Sequence, residues 1–463
     1  MKDFWYPLQK IIEDVCIKFD SKWRRRIRVI DTHFLVLFIF KLVLSKNKQG
    51  YKSLLTELWE RQELSKYQVK AVSSSSLCEA RQKLSEDIFI ELNKAVLLER
   101  ANEMPLETWR GHRVFAADGS KIHLPHELLL VGYKASSNKD QYYPQGLMSV
   151  IYHLGSGLIY DCLLSSDKGE RQCLISQMDK LSQSDVLVLD RGYFSYLLLY
   201  KAMEKNIHLI CRLQSGSVNK EIKVFWDSPL NETVIDYCPS DSTVSQINKK
   251  GYELSSKTFK LRLIKYKIDN ETYVCATTLI DNKQYPINEF AGIYHGRWGI
   301  EELFKISKEF IDVEDIHSKS EKGVKQELYA HALLINIARI FESEANHKMP
   351  PSSEAKNQKN PPTDIGGEKK SDIKEGYWQY FCGKIQEYKV NFKNCILVLS
   401  RHIEELIISI SQKKQSWLSE ILKAITSIRQ KIRPGRQYFR RSRKPQNKWR
   451  SSNNVPKIAL LRT

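Results

Sequence analysis

From Asp185 to Asp190 the chain reads Asp-Val-Leu-Val-Leu-Asp, apolar at every interior position and closed by a carboxylate at each end. A strand that leaves no face for water belongs in the middle of a sheet covered by helices on both sides. Such a sheet needs a good deal of chain to cover it. The 463 residues, 42% hydrophobic and 27% charged, supply that chain and leave enough for two or three folded units.

The neighbouring segments fit an α/β grammar. Val114 to Ala117 is a second apolar run, ending on the turn signal Asp118-Gly119-Ser120. Leu147–Tyr152 and Leu158–Leu164 flank Gly155-Ser156-Gly157 as the arms of a hairpin would. A helix is expected around Glu170 to Leu181, another over Tyr196 to Lys205, and a strand over Ile207 to Leu213. The first hundred residues carry helical spacing instead, with Phe34-Leu35, Phe38, Leu42, Leu54-Leu55 and Leu58-Trp59 as the apolar positions. Between 214 and 285 the sequence reads as β-rich, with strands expected at Val224–Trp226, Phe259–Tyr266 and Thr272–Thr277. The alternation in the second of these predicts Lys260, Arg262, Lys265 or Lys267 turned toward solvent or a polyanion. Helical spacing returns after Pro286. Residues 343–376, rich in Lys, Pro, Ser and Gly, read as a linker, and Trp378 to Ile432 as a last helical segment.

Charge narrows the partners. Lys and Arg total 73 against 54 Asp and Glu, a formal +19 with a pI near 9.3, which points to nucleic acid before a membrane surface. The excess is uneven: Arg429 to Arg450 holds ten basic residues and no acidic one, and Lys22 to Arg28 forms a smaller basic knot. The knot reads either as a solvated helix face or as a phosphate-contacting element. Nine cysteines stand singly without a CxxC pair, which argues against a disulfide scaffold or zinc ribbon and suits a reducing compartment. Met1 to Gln9 has no apolar core, so no secretory leader is expected, and Phe34 to Leu44 is too short to span a bilayer.

Asp118 and Asp190 both follow apolar runs. A carboxylate at the end of a buried strand is costly to desolvate unless a cation meets it. Two on adjacent strands would share one edge of the sheet, where a divalent ion is the natural partner. Either alone also fits an ordinary Asx turn or helix cap. A third feature is Tyr294-x2-Arg297-x3-Glu301-x6-Lys308, whose offsets place all four side chains within about 60° of one another on a helix. Ile293, Ile300, Phe304 and Ile311 fall on the adjacent sector, the one expected to pack on the sheet. An exposed face laced with Arg–Glu pairs has the same spacing. Gly296 and Gly299, however, cost about 1 kcal/mol each in a helix interior, and close approach of a backbone or of DNA would explain them.

Ala-Asp118-Gly-Ser, Leu-Asp190-Arg-Gly-Tyr and the Tyr294/Arg297/Glu301/Lys308 signature together resemble the DDE transposases of the IS4 type of bacterial insertion sequences. The stretch Ser73 to Leu84 is similar to one upstream of the first aspartate in that family. The resemblance implies an α/β fold: an RNase H-like catalytic core, a mixed sheet flanked by helices, with an inserted β-rich subdomain, a helical N-terminal domain and a helical, basic C-terminal region. The divisions expected are 1–105 for the helical DNA-binding region, 106–213 and 286–342 for the two parts of the core, and 214–285 for the insertion. Residues 343–376 would be the linker and 377–463 the C-terminal region. It further implies that Asp118, Asp190 and Glu301 are catalytic and bind two Mg²⁺ ions, with Mn²⁺ able to substitute. Tyr294, Arg297, Lys308 and Arg191 would meet DNA phosphates. The expected partner is double-stranded DNA, as terminal inverted repeats and target, bound by a homodimer in a synaptic complex. The expected location is the bacterial cytoplasm at the nucleoid, with no membrane partner. Rivals are a catalytically inactive DNA-binding descendant and an RNase H-like nuclease that cuts without joining. The linker and the arginine-dense tail do not map onto the family's pattern.

Overall fold

The computed structural model describes residues 5–24, 26, 29–45, 50–60, 72–103, 106–135, 143–216, 219–254, 257–268, 271–347, 388–408 and 414–431. Helices α1 (Trp5–Trp23), α2 (Thr32–Leu44), α3 (Tyr51–Glu60), α4 (Ser74–Lys83) and α5 (Asp87–Glu103) come first. Strands β1 (Val114–His123), β2 (Lys134–Ala135), β3 (Pro144–His153) and β4 (Ile159–Ser165) follow. Next come α6 (Glu170–Gln177), β5 (Val186–Leu189), α7 (Tyr196–Glu204) and β6 (His208–Arg212). The segment after them holds α8 (Lys220–Asp227), β7 (Glu232–Tyr237), α9 (Asp241–Asn248), β8 (Phe259–Ile268) and β9 (Glu271–Thr277). Then come α10 (Ile287–Gly296), α11 (Trp298–Glu309) and α12 (Glu321–His347). Beyond residue 387 lie β10 (Tyr388–Val390), α13 (Phe392–Ile408), α14 (Lys414–Ser427) and β11 (Arg429–Lys431).

Among the described residues, β1 to β9 form one sheet in the order β2-β3-β1-β5-β6-β9-β8-β7, with β4 also paired to β3. The meander β1, β3, β4 is antiparallel, whereas β5 lies parallel to β1 and β6 parallel to β5. This is the RNase H-like layout expected from the resemblance. The all-apolar strand sits at its centre. Val186 and Val188 enter one core with Val114, Ala116, Phe290, Ile293 and Ile300, and Leu187 and Leu189 enter the other with Phe115, Ala117, Leu198 and Ile207. All four are fully buried, each worth roughly 1.5–3 kcal/mol of transfer free energy. A polar residue at any of them would strip one face of its cover.

The first core extends into the N-terminal helices. Asp31 caps α2 by accepting from the Phe34 amide at 2.7 Å. Phe34 to Val43 is then buried at almost every position between α1, α12 and α13. No described helix is long and apolar enough to cross a membrane. The Ser73–Leu84 stretch builds α4, capped by Ser73, and its Arg81 side chain is buried against α12. Arg81 donates to Gln326 Oε1 at 2.8 Å, Glu327 Oε1 at 2.7 Å and the Gly323 carbonyl at 2.9 Å, and also reaches Tyr51. Glu327 in turn accepts the His317 and Ser318 amides.

Several expectations are corrected. β1 does not stop at Ala117: β3 supplies a ladder as far as His123, so Asp118, Gly119 and Ser120 are strand residues opposite Val150, Ser149 and Met148. Val224–Trp226 is helical because Asn219 caps α8 through the Ile222 amide and buries Ile222 and Phe225 three residues apart. The strands of 214–285 continue the main sheet, β9 pairing with β6. Lys260 and Lys267 are exposed, but Arg262 and Lys265 are buried. Arg262 pairs with Glu232 and donates to the Tyr285 carbonyl at 2.7 Å, while Lys265 closes the end of α8 on the carbonyls of Phe225, Trp226 and Ser228. Residues 343–347 belong to α12, since Glu344 and Ala345 are still buried there. The last segment is two helices enclosed by the β10–β11 pair. Arg25, Ile27 and Arg28 of the basic knot, residues 348–387 and everything after 431 lie outside the described residues.

Candidate active site

Asp118 projects from the middle of β1 on the face that α11 covers, the face it shares with Ala116 and Ile122. Its Oδ1 accepts the Gly119 amide at 2.9 Å, and its side chain is 23% exposed. Asp190 stands one residue beyond β5, in a turn closed by the Tyr193 amide on the Asp190 carbonyl at 3.0 Å.

The signature residues lie on two helices instead of one. α10 ends at Gly296, Arg297 keeps helical dihedrals at the junction, and α11 begins at Trp298. Ile293, Ile300 and Phe304 are buried and Ile311 is partly so, as the apolar sector requires. Gly299 has a packing reason: a Cβ there would meet the Tyr152 ring at 3.1 Å. The tight approach is to a tyrosine of β3, and it brings the first turn of α11 down onto the sheet.

Those helices draw the carboxylates together. The Tyr294 hydroxyl donates to Asp190 Oδ1 at 3.1 Å. Arg297 spans the other two, with Nη2 at 2.5 Å from Glu301 Oε1 and Nη1 at 3.7 Å from Asp118 Oδ2. Its side chain is 7% exposed, against 53% for Glu301. Burial works against the Arg297 charge, but Tyr294, Glu301 and Asp190 outweigh it and hold the guanidinium charged. Burial raises the Asp118 carboxyl, and the Glu301 and Asp190 charges add to the rise against the pull of the Gly119 amide and Arg297. Burial likewise raises the Tyr294 phenol, which remains a donor across the physiological range.

Lys308 and Arg191 stand apart from this cluster. Lys308 is half-buried and donates to the Lys121 carbonyl at 2.6 Å, three residues along β1 from Asp118. Burial lowers its ammonium, with Glu314 acting the other way. Arg191 is exposed on the turn after Asp190. Trp298 is 39% exposed and meets His295 edge-on, whereas Trp226 is half-buried in the second core. Two side chains that sequence reasoning left unassigned also reach the site. Burial and the charges of Asp118 and Asp190 raise the Glu170 carboxyl, and burial with the charges of Glu170 and Asp118 raises the Tyr193 phenol. Tyr193 was visible in the Leu-Asp-Arg-Gly-Tyr run, but Glu170 carried no local signal.

The donor set is hard carboxylate oxygen, and one guanidinium offsets only part of its charge, so the residues fit a divalent cation. Among the described residues, no three acidic, histidine or cysteine side chains are close enough as they stand to grip one ion. Two of the carboxylates already converge on a positive charge, that of Arg297.

Residues 109–337 match the transposase DDE domain. The chain is 24% identical over 277 residues to the transposase InsG of insertion sequence element IS4 from Escherichia coli (strain K12), covering 58% of this chain and 61% of that protein. The match thus spans less than two thirds of that relative's length. Among solved structures the chain is similar to the piggyBac transposase in its synaptic complex with hairpin DNA, at a TM-score of 0.39 and 10% identity. That alignment covers 92% of this chain and 85% of the other.

Proposed function

We propose that this chain is a DDE transposase of the IS4 type, one that cuts DNA at the ends of an insertion sequence and joins those ends to target DNA; the match of residues 109–337 to the transposase DDE domain and the similarity to the IS4 transposase support this reading. The observation that carries this reading is the linkage of all three carboxylates by signature residues: Tyr294 on Asp190, and Arg297 on both Asp118 and Glu301. A face of (i, i+4) surface pairs has no reason to be buried at Arg297 or to reach a strand carboxylate.

DDE transposases work with divalent metal ions. Here Asp118, Asp190 and Glu301 would hold two Mg²⁺ ions, with Mn²⁺ as a substitute. The chemistry such ions would supply at these carboxylates is activation of water or a DNA 3′-hydroxyl as nucleophile and stabilisation of the leaving oxygen. Tyr294 fixes the Asp190 carboxylate through its hydroxyl. Arg297 keeps Asp118 and Glu301 from repelling one another and, being a planar fork, suits a phosphate oxygen when DNA arrives. Lys308 and Arg191 supply further positive charge along β1 and at the Asp190 turn for the flanking backbone. The protein would act in the bacterial cytoplasm, at the nucleoid, as a homodimer pairing two ends. Its N-terminal helical region and basic tail would contribute to DNA binding.

The test is cleavage of DNA carrying the element's terminal inverted repeats. Cleavage in Mg²⁺ or Mn²⁺, lost in Asp190→Ala while DNA binding persists, is the expected result. A wild-type protein that binds the ends without cutting, or that cuts without ever joining, would overturn it.

A further inference from the structure

The turn that carries Asp190 is tied to the start of α6. Arg171 Nε donates to the Gly192 carbonyl at 2.7 Å, which brings Glu170, the first residue of α6, to the end of β5. The Glu170 side chain lies across Gly119. A Cβ built on Gly119 would meet Glu170 Cγ at 2.8 Å, Leu147 Cδ1 at 2.9 Å and Glu170 Cδ at 3.3 Å, so a side chain here would push the Glu170 and Leu147 side chains aside. Alternation along β1 turns Gly119 toward the α6 face with Phe115 and Ala117, opposite to Asp118. The sheet is open at this point. β1 pairs with β5 only over Val114 to Ala116, and β5 itself ends one residue after that pairing, at Leu189, where the chain turns away through Asp190.

Tyr193 is an independent sign of an occupant. It is 2% exposed, and among the described residues its buried hydroxyl has no hydrogen-bond partner, although buried hydroxyls are normally satisfied. The groups whose charge bears on that hydroxyl are Glu170, Asp118, Cys173 and Arg297, with Glu170 first. A buried phenol with an unused donor next to the Glu170 and Asp118 carboxylates can donate to one of them once a cation regroups those carboxylates.

We propose that Glu170 is a fourth carboxylate of the divalent-ion site, reaching Asp118, Asp190 and Glu301 over Gly119 from the opposite face of the sheet, with Tyr193 as its hydrogen-bond donor. The proposal deepens the transposase reading and rests on it. Arg297 offsets part of the charge of the three signature-linked carboxylates, and Glu170 restores what two divalent ions beside a phosphate require.

The test is Mn²⁺ binding to the full-length, DNA-free protein, followed by the electron paramagnetic resonance of free Mn²⁺. Wild type is compared with Asp190→Asn, Glu170→Gln, Gly119→Ala and Tyr193→Phe, and with Glu302→Gln as a control for an exposed carboxylate one residue from Glu301. Glu170→Gln is expected to weaken binding at least tenfold or to remove one ion from the stoichiometry, at an unchanged thermal midpoint. Gly119→Ala should weaken it similarly by displacing Glu170, and Tyr193→Phe a few-fold, with Glu302→Gln at wild type. If Asp190→Asn is impaired while Glu170→Gln binds normally, the proposal fails and the transposase reading stands. An equal loss in Glu302→Gln also sinks it, because the effect is then only the general field. A wild-type protein that takes up no Mn²⁺ removes both.

Discussion

At Arg297 a guanidinium whose side chain is 7% exposed touches carboxylates from a strand and from its own helix. Two demands meet there, charge and reach. Lysine keeps the first and loses the second, because an ammonium on a flexible stem cannot present two parallel donors. Arg297→Lys should therefore lower end cleavage about 10²-fold, the scale of a lost preorganised donor, while the protein stays folded by circular dichroism. Cleavage within a few-fold of wild type would mean that Arg297 only fills space. The same residue type one element away behaves differently. Arg262 shows the apolar–basic alternation of a half-exposed strand, yet it is 1% exposed because Glu232 on β7 and the Tyr285 carbonyl enclose it. No local pattern distinguishes an arginine aimed at DNA from one sealed by a neighbouring strand.

Among the elements, α12 organises the first core, and α4 is fastened to it by a buried ion pair. Arg81→Met leaves Glu327 buried with two loop amides and no arginine. The cost expected is about 3–5 kcal/mol, read as a lower midpoint in urea unfolding. Adding Glu327→Gln should return part of that stability, since an uncharged carbonyl still accepts from His317 or Ser318. Strict additivity of the two substitutions would show that they do not interact. The Ser73–Leu84 resemblance thus marks a packing joint between the N-terminal helices and the core. The signature, too, proved to be a property of two helices. Its 60° sector was legible in the spacing, but the break at Arg297 and the seating of Gly299 on Tyr152 depend on β3, remote in the chain.

For the whole molecule, burial sets a pH limit. His331 on α12 is 4% exposed, and burial lowers its imidazole to about 4 despite the nearby Glu327 charge. Its folded pKa lies below the unfolded value near 6.5. The stability it allows is therefore complete above about 6.5 and is lost as pH falls toward 4, by on the order of 3 kcal/mol. His331→Leu should flatten that part of the curve of unfolding free energy against pH; an unchanged slope would assign the acid sensitivity elsewhere. The formal +19 makes a separate prediction. Ten basic residues and no acidic one follow position 431. Removing 432–463 should cut the slope of log affinity for DNA against log salt by several units, each phosphate contact being worth about 0.9. A slope that does not change would take the tail out of DNA binding.

The apolar run Val186–Leu189, the glycine-bounded hairpin and the helical sector of Tyr294, Arg297 and Glu301 determined the α/β core, because each depends on which face a residue turns to its nearest neighbours. Periodicity carries that information along a single element. The length of β1 past Asp118, the helix at Val224–Trp226, and the burial of Arg262 and Lys265 were decided by partners far along the chain. So was the approach of Glu170 to the carboxylates, which depends on where β5 leaves β1 and on the missing side chain of Gly119. Contacts of that kind exist only once the sheet has closed, and local sequence records neither the neighbour nor the space it leaves.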